Sequence, residues 1–147
     1  RRQRQMCIRD RAAICFITEL ESMDIETDDA RLQQVLINLL INATKFTSQG
    51  SIILELRKQS EQELLFFVTD TGCGIPKEKQ AAIFRRFEKL NENAQGSGLG
   101  LSICQLIIEH IGGKIWIDSD YTGGSRFFFT HPIRQSQSTN PKKENNA

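Results

Sequence analysis

The stretch Gln34–Phe46 (QVLINLLINATKF) predicts an amphipathic helix with an unusual polar face. Because an α-helix turns once every ~3.6 residues, Asn38, Asn42 and Lys45 share one side of this helix. The adjoining apolar stripe should face the core of the fold. It consists of Leu32, Val35, Leu36, Leu39 and Ala43.

Asn is a poor helix former, since its amide competes for backbone groups. Leaving an amide buried and unpaired beside a core stripe would cost about 1–3 kcal/mol. One interpretation makes Asn38 and Asn42 a solvated or capped helix edge. The other gives the two amides and Lys45 a shared metal or phosphate ligand, and the helix alone leaves both open.

The composition describes one domain of 147 residues, large enough for a hydrophobic core. The net charge is +1, but five Arg and one Asp among residues 1–11 contribute +4, so the remaining chain carries −3. A mildly acidic body argues against a nucleic-acid surface. Since no apolar run approaches the ~18 residues of a membrane span and no signal-peptide pattern is found, we expect no direct membrane contact.

Both ends of the chain differ from its middle. Met6–Asp10 back-translates as ATG TGT ATA AGA GAC, which looks like the transposon end used in sequencing-library preparation. We therefore interpret residues 1–12 as adapter translation or a disordered lead-in. Residues 133–147 are rich in Gln, Ser, Asn and Lys without an aromatic side chain, which is typical of a polar disordered tail or linker.

Periodicity and turn residues predict strands and helices between residues 13 and 132. Thr27, Asp28 and Asp29 supply the start of the helix that ends near Phe46. The order of elements indicates a two-layer α/β sandwich, in which a mixed, largely antiparallel sheet carries helices on one face. The other predicted helices are Pro76–Phe87 and Leu99–Ile111, and the predicted strands are Ala13–Leu20, Ser51–Lys58, Glu63–Asp70, Lys114–Ser119 and Ser125–Pro132.

A carboxylate stands at the end of one predicted strand, where Asp70 is followed by Gly72 and Gly74. An ionised carboxylate only accepts hydrogen bonds, so it can recognise an exocyclic amino group such as that of adenine. The glycines permit positive φ angles and a close approach of a ligand to the backbone. Taken alone, this motif favours a plain Asp-Gly-rich turn over a binding site.

A second glycine-rich motif, Gly96-Ser97-Gly98-Leu99-Gly100, opens the next predicted helix. Its spacing matches neither the dinucleotide-binding fingerprint nor the P-loop. A glycine-rich helix start nevertheless presents free N–H groups and a positive dipole end, which suit a phosphate. The same residues would also serve as the hinge of a flexible lid.

Together, the order and spacing of these motifs resemble the catalytic, ATP-binding domain of sensor histidine kinases, which has the Bergerat fold. The resemblance covers about residues 13–132. It matches the N box at Asn38–Phe46, the first glycine box at Asp70–Gly74, the F box at Phe84–Phe87, the second glycine box at Gly96–Gly100 and the closing glycine box at Gly124–Phe127.

The resemblance implies ATP and Mg²⁺ as cofactors. Asn42 would bind Mg²⁺ through its side-chain oxygen, with Asn38 as a second metal and phosphate contact, and Asp70 would accept from adenine N6. It assigns no residue a certain catalytic role. The implied phosphate contacts are Lys45, Arg86 and Lys89, and the implied nucleotide-binding residues further include Phe46, Gly72, Gly74, Ile75, Gly96, Gly98, Leu99, Gly100 and Ser125.

The function implied by the resemblance is transfer of the ATP γ-phosphoryl group to a histidine in two-component signalling. Residues 1–30 contain no His, so we expect the acceptor on a histidine-bearing dimerisation domain of the same kinase outside this chain. A response-regulator receiver would act downstream. The implied location is cytoplasmic, and the full-length protein could be anchored in the inner membrane.

Two alternatives stay open beside that function: a nucleotide-binding regulatory module, and a Bergerat-fold ATPase or serine kinase without histidine transfer. Asn38 disfavours hydrolysis, since the hydrolytic relatives typically place a Glu there to activate water. Asn cannot act as a general base.

Overall fold

The computed structural model describes residues 4–9, 13–20, 23, 25–84 and 100–133. Within these ranges the chain forms a six-stranded mixed sheet with helices on one face, which confirms the predicted fold class. The elements are β1 (Arg4–Arg9), β2 (Ala13–Thr18), α1 (Asp29–Phe46), β3 (Ser51–Lys58), β4 (Glu63–Asp70), α2 (Lys77–Gln80), α3 (Gly100–Ile111), β5 (Ile115–Ile117) and β6 (Ser125–Pro132).

The long helix α1 starts and ends where the sequence predicts. Asp28 caps it, since its side chain accepts a hydrogen bond from the N–H of Arg31 at 3.2 Å. At the other end Thr47 has extended angles (φ −126°, ψ 92°), so the chain leaves the helix there. The fully buried positions of α1 belong to the predicted stripe and are Val35, Leu39 and Ala43.

The sheet has the strand order β1-β2-β3-β4-β6-β5. Among the described strands, only β2 and β3 run parallel, because α1 lies between them in the chain and returns it to the same end of the sheet. The predicted hairpins β3–β4 and β5–β6 are both antiparallel. β6 also pairs with β4, which places Ser125 opposite Asp70.

The two faces of the sheet differ because side chains alternate along each strand. On one face α1 and α3 pack against the sheet and against each other, over the stacked rings of Phe66 and Phe129 (centroids 4.6 Å apart). On the opposite face, the ring of Phe128 contacts those of Phe67 and Trp116, with centroids 5.3 Å apart in each pair. The core therefore lies between the sheet and the α1–α3 layer.

Helix α2 and strand β5 are shorter than predicted. Pro76 is the residue before α2 (ψ 143°), and after Gln80 the chain forms turns, with the N–H of Ala82 bonded to the carbonyl of Lys79 at 3.1 Å. The predicted continuation to Phe87 is therefore wrong through Phe84, and residues 85–87 lie outside the described ranges.

Strand β1 lies in the segment interpreted as adapter translation or a disordered lead-in, for which no strand was predicted. Its backbone pairs antiparallel with β2, from Arg4 opposite Thr18 to Arg9 opposite Ala13. By pairing with β2, β1 satisfies N–H and C=O groups along that side of β2 and is itself the edge strand of the sheet.

In the described part of the chain, none of the helices is long and apolar enough to cross a bilayer.

Candidate functional site

The carboxylate of Asp70 is the fixed centre of the candidate site. Asp70 ends β4 and is 4% exposed. Its Oδ1 accepts hydrogen bonds from the N–H of Gly72 at 2.9 Å and from the N–H of Ser125 at 3.2 Å. The backbone of the following loop and the first residue of β6 thus hold the carboxylate in one position.

Burial raises the pKa of Asp70 above its ordinary value of 3.8, because a carboxylate out of water is harder to ionise. The N–H groups of Gly72 and Ser125 and the hydroxyl of Thr47 lower that pKa, but burial has the larger effect. An N–H donor from a ligand would stabilise the ionised carboxylate further. This environment suits recognition of an amino group.

Glycines allow three backbone segments to meet around Asp70. A Cβ at Gly124 would lie 2.0 Å from the carbonyl oxygen of Asp70, and a Cβ at Gly72 would lie 2.1 Å from that of Phe46. Gly124 and Gly74 have φ of +149° and +77°, which other residues rarely adopt. The backbones of the loop, β6 and the end of α1 can therefore approach one another closely.

The loop after β4 is tied directly to the C-terminal end of α1. The N–H of Cys73 donates to the carbonyl of Phe46 at 3.2 Å. Phe46 itself is half-buried, and Ile75 packs its partly buried side chain against the core. The structure thus brings Phe46, Asp70, Gly72 and Ser125 together, although they come from separate elements.

The polar face of α1 lies beside the start of α3. The Asn38 side-chain N–H₂ donates to the carbonyl of Gly100 at 3.5 Å. Asn42 is half-buried one turn further along the same face, and Lys45 is exposed in the last turn. Of the predicted phosphate and metal residues of α1, Asn38 therefore contacts the N-terminal end of α3.

The donor set on this face fits Mg²⁺. The ion usually takes one or two protein oxygen ligands and completes its octahedron with phosphate oxygens and water, so the Asn42 amide oxygen is sufficient. Among the described residues, no group of three or more His, Cys, Asp or Glu side chains could hold a metal ion.

Several predicted site residues lie outside the described ranges, and their roles stay predictions. Part of the F box is described: Phe84 makes an edge contact with Phe127, the ring centroids lying 6.2 Å apart at 82°. The residues outside are Arg86, Phe87, Lys89, Gly96, Gly98 and Leu99.

One polar residue of the site was missed by the sequence analysis. Thr47 is 2% exposed and lies next to Asp70 and Gly72. A Thr directly after a helix is common at ordinary helix ends, so its position does not indicate a binding site. The sequence therefore carries no local signal that this hydroxyl is buried near a carboxylate 23 positions further on.

Residues 27–135 match the model of the family described as histidine kinase-, DNA gyrase B-, and HSP90-like ATPase. The chain is 39% identical over 109 residues to the adaptive-response sensory kinase SasA of Synechococcus elongatus (strain ATCC 33912 / PCC 7942 / FACHB-805), covering 72% of this chain and 28% of the kinase. It is 42% identical over 115 residues to SasA of Nostoc sp. (strain PCC 7120 / SAG 25.82 / UTEX 2576), covering 76% and 29%. The chain thus spans less than a third of the length of these relatives.

Solved structures give the same result for the fold. The nucleotide-free catalytic domain of histidine kinase ThkA superposes with a TM-score of 0.74 and 36% identity, covering 84% of this chain and 81% of that one. Full-length ShkA in complex with AMPPNP superposes with a TM-score of 0.75 and 29% identity, covering 86% and 27%. The chain belongs to the histidine kinase-, DNA gyrase B-, and HSP90-like ATPase family, as the ATP-binding catalytic domain of a sensor histidine kinase.

Proposed function

We propose that this domain binds Mg-ATP and transfers the γ-phosphoryl group to a histidine on a separate acceptor domain. The observation that carries the proposal is the Asp70 carboxylate, which is 4% exposed and held by two backbone N–H groups where β4, α1 and β6 meet. A buried acceptor in a fixed position selects a ligand that supplies a donor. The 6-amino group of adenine is such a donor.

Base selection follows from the chemistry of that carboxylate. The ionised Asp70 would accept from adenine N6, whereas guanine has a carbonyl oxygen at the same ring position and leaves the carboxylate unpaired. Phe46 and Ile75 would flank the base, while Gly72 and Gly74 let the loop pass close to it. Ser125 contributes through its backbone N–H on Asp70.

The phosphates would lie between α1 and the start of α3. Asn42 would hold Mg²⁺ with Asn38 beside it, and the bound ion would neutralise part of the triphosphate charge. Lys45 is exposed in the last turn of α1 and would reach a phosphate. Gly100 begins α3, whose positive dipole end favours an anion. We assign further phosphate contacts to Arg86, Lys89, Gly96, Gly98 and Leu99.

The acceptor in this proposal is a histidine of the dimerisation domain of the same kinase. Phosphoryl transfer depends mainly on holding the attacking and leaving atoms in line and on stabilising charge. This domain would supply the bound nucleotide, and the partner would supply the attacking nitrogen. A response-regulator receiver would take the phosphoryl group in the next step, and the reaction would occur in the cytoplasm.

A transfer assay tests this proposal. The chain is incubated with Mg²⁺ and γ-labelled ATP, together with the dimerisation hairpin of a matching sensor kinase. We expect acid-labile, base-stable label on the hairpin, slowly formed because the two domains are not tethered. The control is the same hairpin with its acceptor histidine changed to Gln, which should stay unlabelled.

The same assay separates the alternative functions. Release of inorganic phosphate at a rate independent of the hairpin would indicate an ATPase. Binding of ATP with neither label transfer nor phosphate release would indicate a nucleotide-binding regulatory module. Either result would contradict the transfer proposal.

A further inference from the structure

The hydroxyl of Thr47 is a buried polar group that nothing in the proposed function uses. Thr47 follows the last residue of α1 and is 2% exposed. Its Oγ1 makes no hydrogen bond of normal geometry to any of the residues that the structure describes. Buried hydroxyls usually have a partner, and leaving one unsatisfied destabilises the fold.

This hydroxyl lies in the candidate site. It is close enough to the Asp70 carboxylate to lower the pKa of that group. A Cβ placed on Gly72 would lie 2.7 Å from Thr47 Oγ1, so the hydroxyl also adjoins the loop that follows β4. Asp70 Oδ1 already accepts from the N–H groups of Gly72 and Ser125. The Thr47 hydroxyl is therefore placed to become a third donor to this carboxylate.

We propose that Thr47 is a specificity-determining positioning residue, whose buried hydroxyl donates to Asp70 when a nucleotide binds and aims the carboxylate at the exocyclic amino group of the base. The inference rests on the proposed function, in which Asp70 is the acceptor for that group. Thr47 acts through Asp70. Its hydroxyl should therefore matter for nucleotides that carry the amino group and not for those that lack it.

Two pairs of variants isolate the hydroxyl. Thr47→Val keeps the shape of the side chain and removes the hydroxyl, whereas Thr47→Ser keeps the hydroxyl and removes the methyl group. Thr47→Ala provides a second comparison, since Ala and Ser differ only by the hydroxyl. This second pair keeps the test available if the Val variant does not fold, which a thermal melt of each full-length chain would show.

The measurement compares the dissociation constants of ATP and of purine riboside triphosphate, which lacks the 6-amino group, with Mg²⁺ present throughout. We expect Thr47→Val to weaken ATP binding about three- to tenfold, the range of a single hydrogen bond. Binding of purine riboside triphosphate to the same variant should weaken less than about twofold, because this nucleotide lacks the amino group whose interaction with Asp70 is supported by Thr47. Thr47→Ser should bind ATP within about twofold of the parent, and Thr47→Ala should behave like Thr47→Val.

The possible results distinguish failure of the inference from failure of the proposed function. Equally weakened binding of both nucleotides would show that Thr47 merely supports the fold. Unchanged ATP binding in the Val and Ala variants would show that the hydroxyl of Thr47 is unused. Either result overturns the inference while the proposed function stands. If the parent chain itself binds both nucleotides equally, the role of Asp70 in base selection is wrong and the inference falls with it.

Discussion

At the level of single residues, Asp70 combines a cost to the fold with a benefit for binding. Burial raises its pKa, so the ionised form that would recognise an amino group is also the form that burial disfavours. For an Asp whose pKa is higher in the folded chain than in the unfolded chain, stability is greatest below the unfolded value. It declines as the pH rises through the folded value.

Asp70→Asn removes the charge and keeps an oxygen that can accept from the N–H groups of Gly72 and Ser125. We expect the variant to be at least as stable as the parent at pH 7 and to lose relatively less stability than the parent between acidic and neutral pH, because the contribution of Asp70 is removed. ATP binding should weaken severalfold or more. Thermal melts from pH 4 to pH 7 and an ATP titration check both parts. A variant that is clearly less stable at pH 7, or that binds ATP normally, would contradict this account.

Asn42 offers a test of the proposed metal site without disturbing the core. Asn42→Ala leaves the buried stripe of α1 intact and introduces a better helix former, so the fold should persist. Most of the gain in ATP affinity that Mg²⁺ provides should disappear. Calorimetry with and without Mg²⁺ measures this gain. Thr44→Ala is the matched control, since Thr44 is exposed on another side of the same helix. An equal effect of Mg²⁺ on ATP affinity in the parent and both variants would contradict the assignment of Asn42 as a Mg²⁺ ligand.

At the level of elements, the close approach between β6 and the end of β4 makes Gly124 sensitive to substitution. Gly124→Ala places a Cβ 2.0 Å from the Asp70 carbonyl oxygen at a φ of +149°, so we expect a loss of about 1–3 kcal/mol in the free energy of unfolding. In Gly100→Ala, at the start of α3, the added Cβ meets no atom of the described residues within 4 Å, so the change should be neutral or slightly stabilising. Urea unfolding measures the free energy of unfolding of both variants. Similar losses in the two would show that the close contact at Gly124 does not make this position specially sensitive to substitution.

The elements that the sequence predicts well are those specified locally. The bounds of α1 follow from the Asp28 cap and the apolar stripe, and those of β3 and β4 follow from the polar turn between them. Helix α2 was predicted too long because Pro76 marks a start but nothing local marks the end. Strand β1, which pairs antiparallel with β2, was not predicted because residues 1–12 were interpreted as adapter translation or a disordered lead-in.

The candidate site was predictable only in part. Asp70 with its glycines and the Asn face of α1 are visible as local motifs. Their assembly depends on β4 pairing with β6 and on the end of α1 reaching the loop at Cys73. Such contacts join distant parts of the chain, so the residues alone suggested separate motifs and the family resemblance united them. The burial of Thr47 is set by these same contacts and was missed.

At the level of the whole molecule, neither histidine is placed to receive a phosphoryl group from a nucleotide in this site. His131 is 1% exposed in β6, and its Nε2 contacts the hydroxyl of Thr27 at 2.8 Å. His110 is exposed in the last turn of α3, ten positions after Gly100. At 1.5 Å per residue it lies about 15 Å along the helix from the end assigned to phosphate.

The chain incubated alone with Mg²⁺ and labelled ATP should therefore stay unlabelled. In-line transfer requires the acceptor nitrogen close to the γ-phosphorus, which a separation of about 15 Å along a rigid helix prevents. Radiolabelling followed by gel analysis checks this, with Asn42→Ala as the control for binding-dependent label. Base-stable label that disappears in His110→Ala or His131→Ala would contradict the expectation.

The aromatic side chains on the sheet face opposite the helices also determine how this protein can be observed. Trp116 is the chain's single tryptophan, is 39% exposed, and stacks on Phe128 with ring planes 21° apart. Its fluorescence emission should shift to longer wavelength when β5 separates from β6, so it reports melting of that edge. The nucleotide would bind on the other side of the sheet, out of contact with the indole. A change in tryptophan emission on adding ATP would thus indicate that nucleotide binding changes the conformation of the opposite face of the sheet.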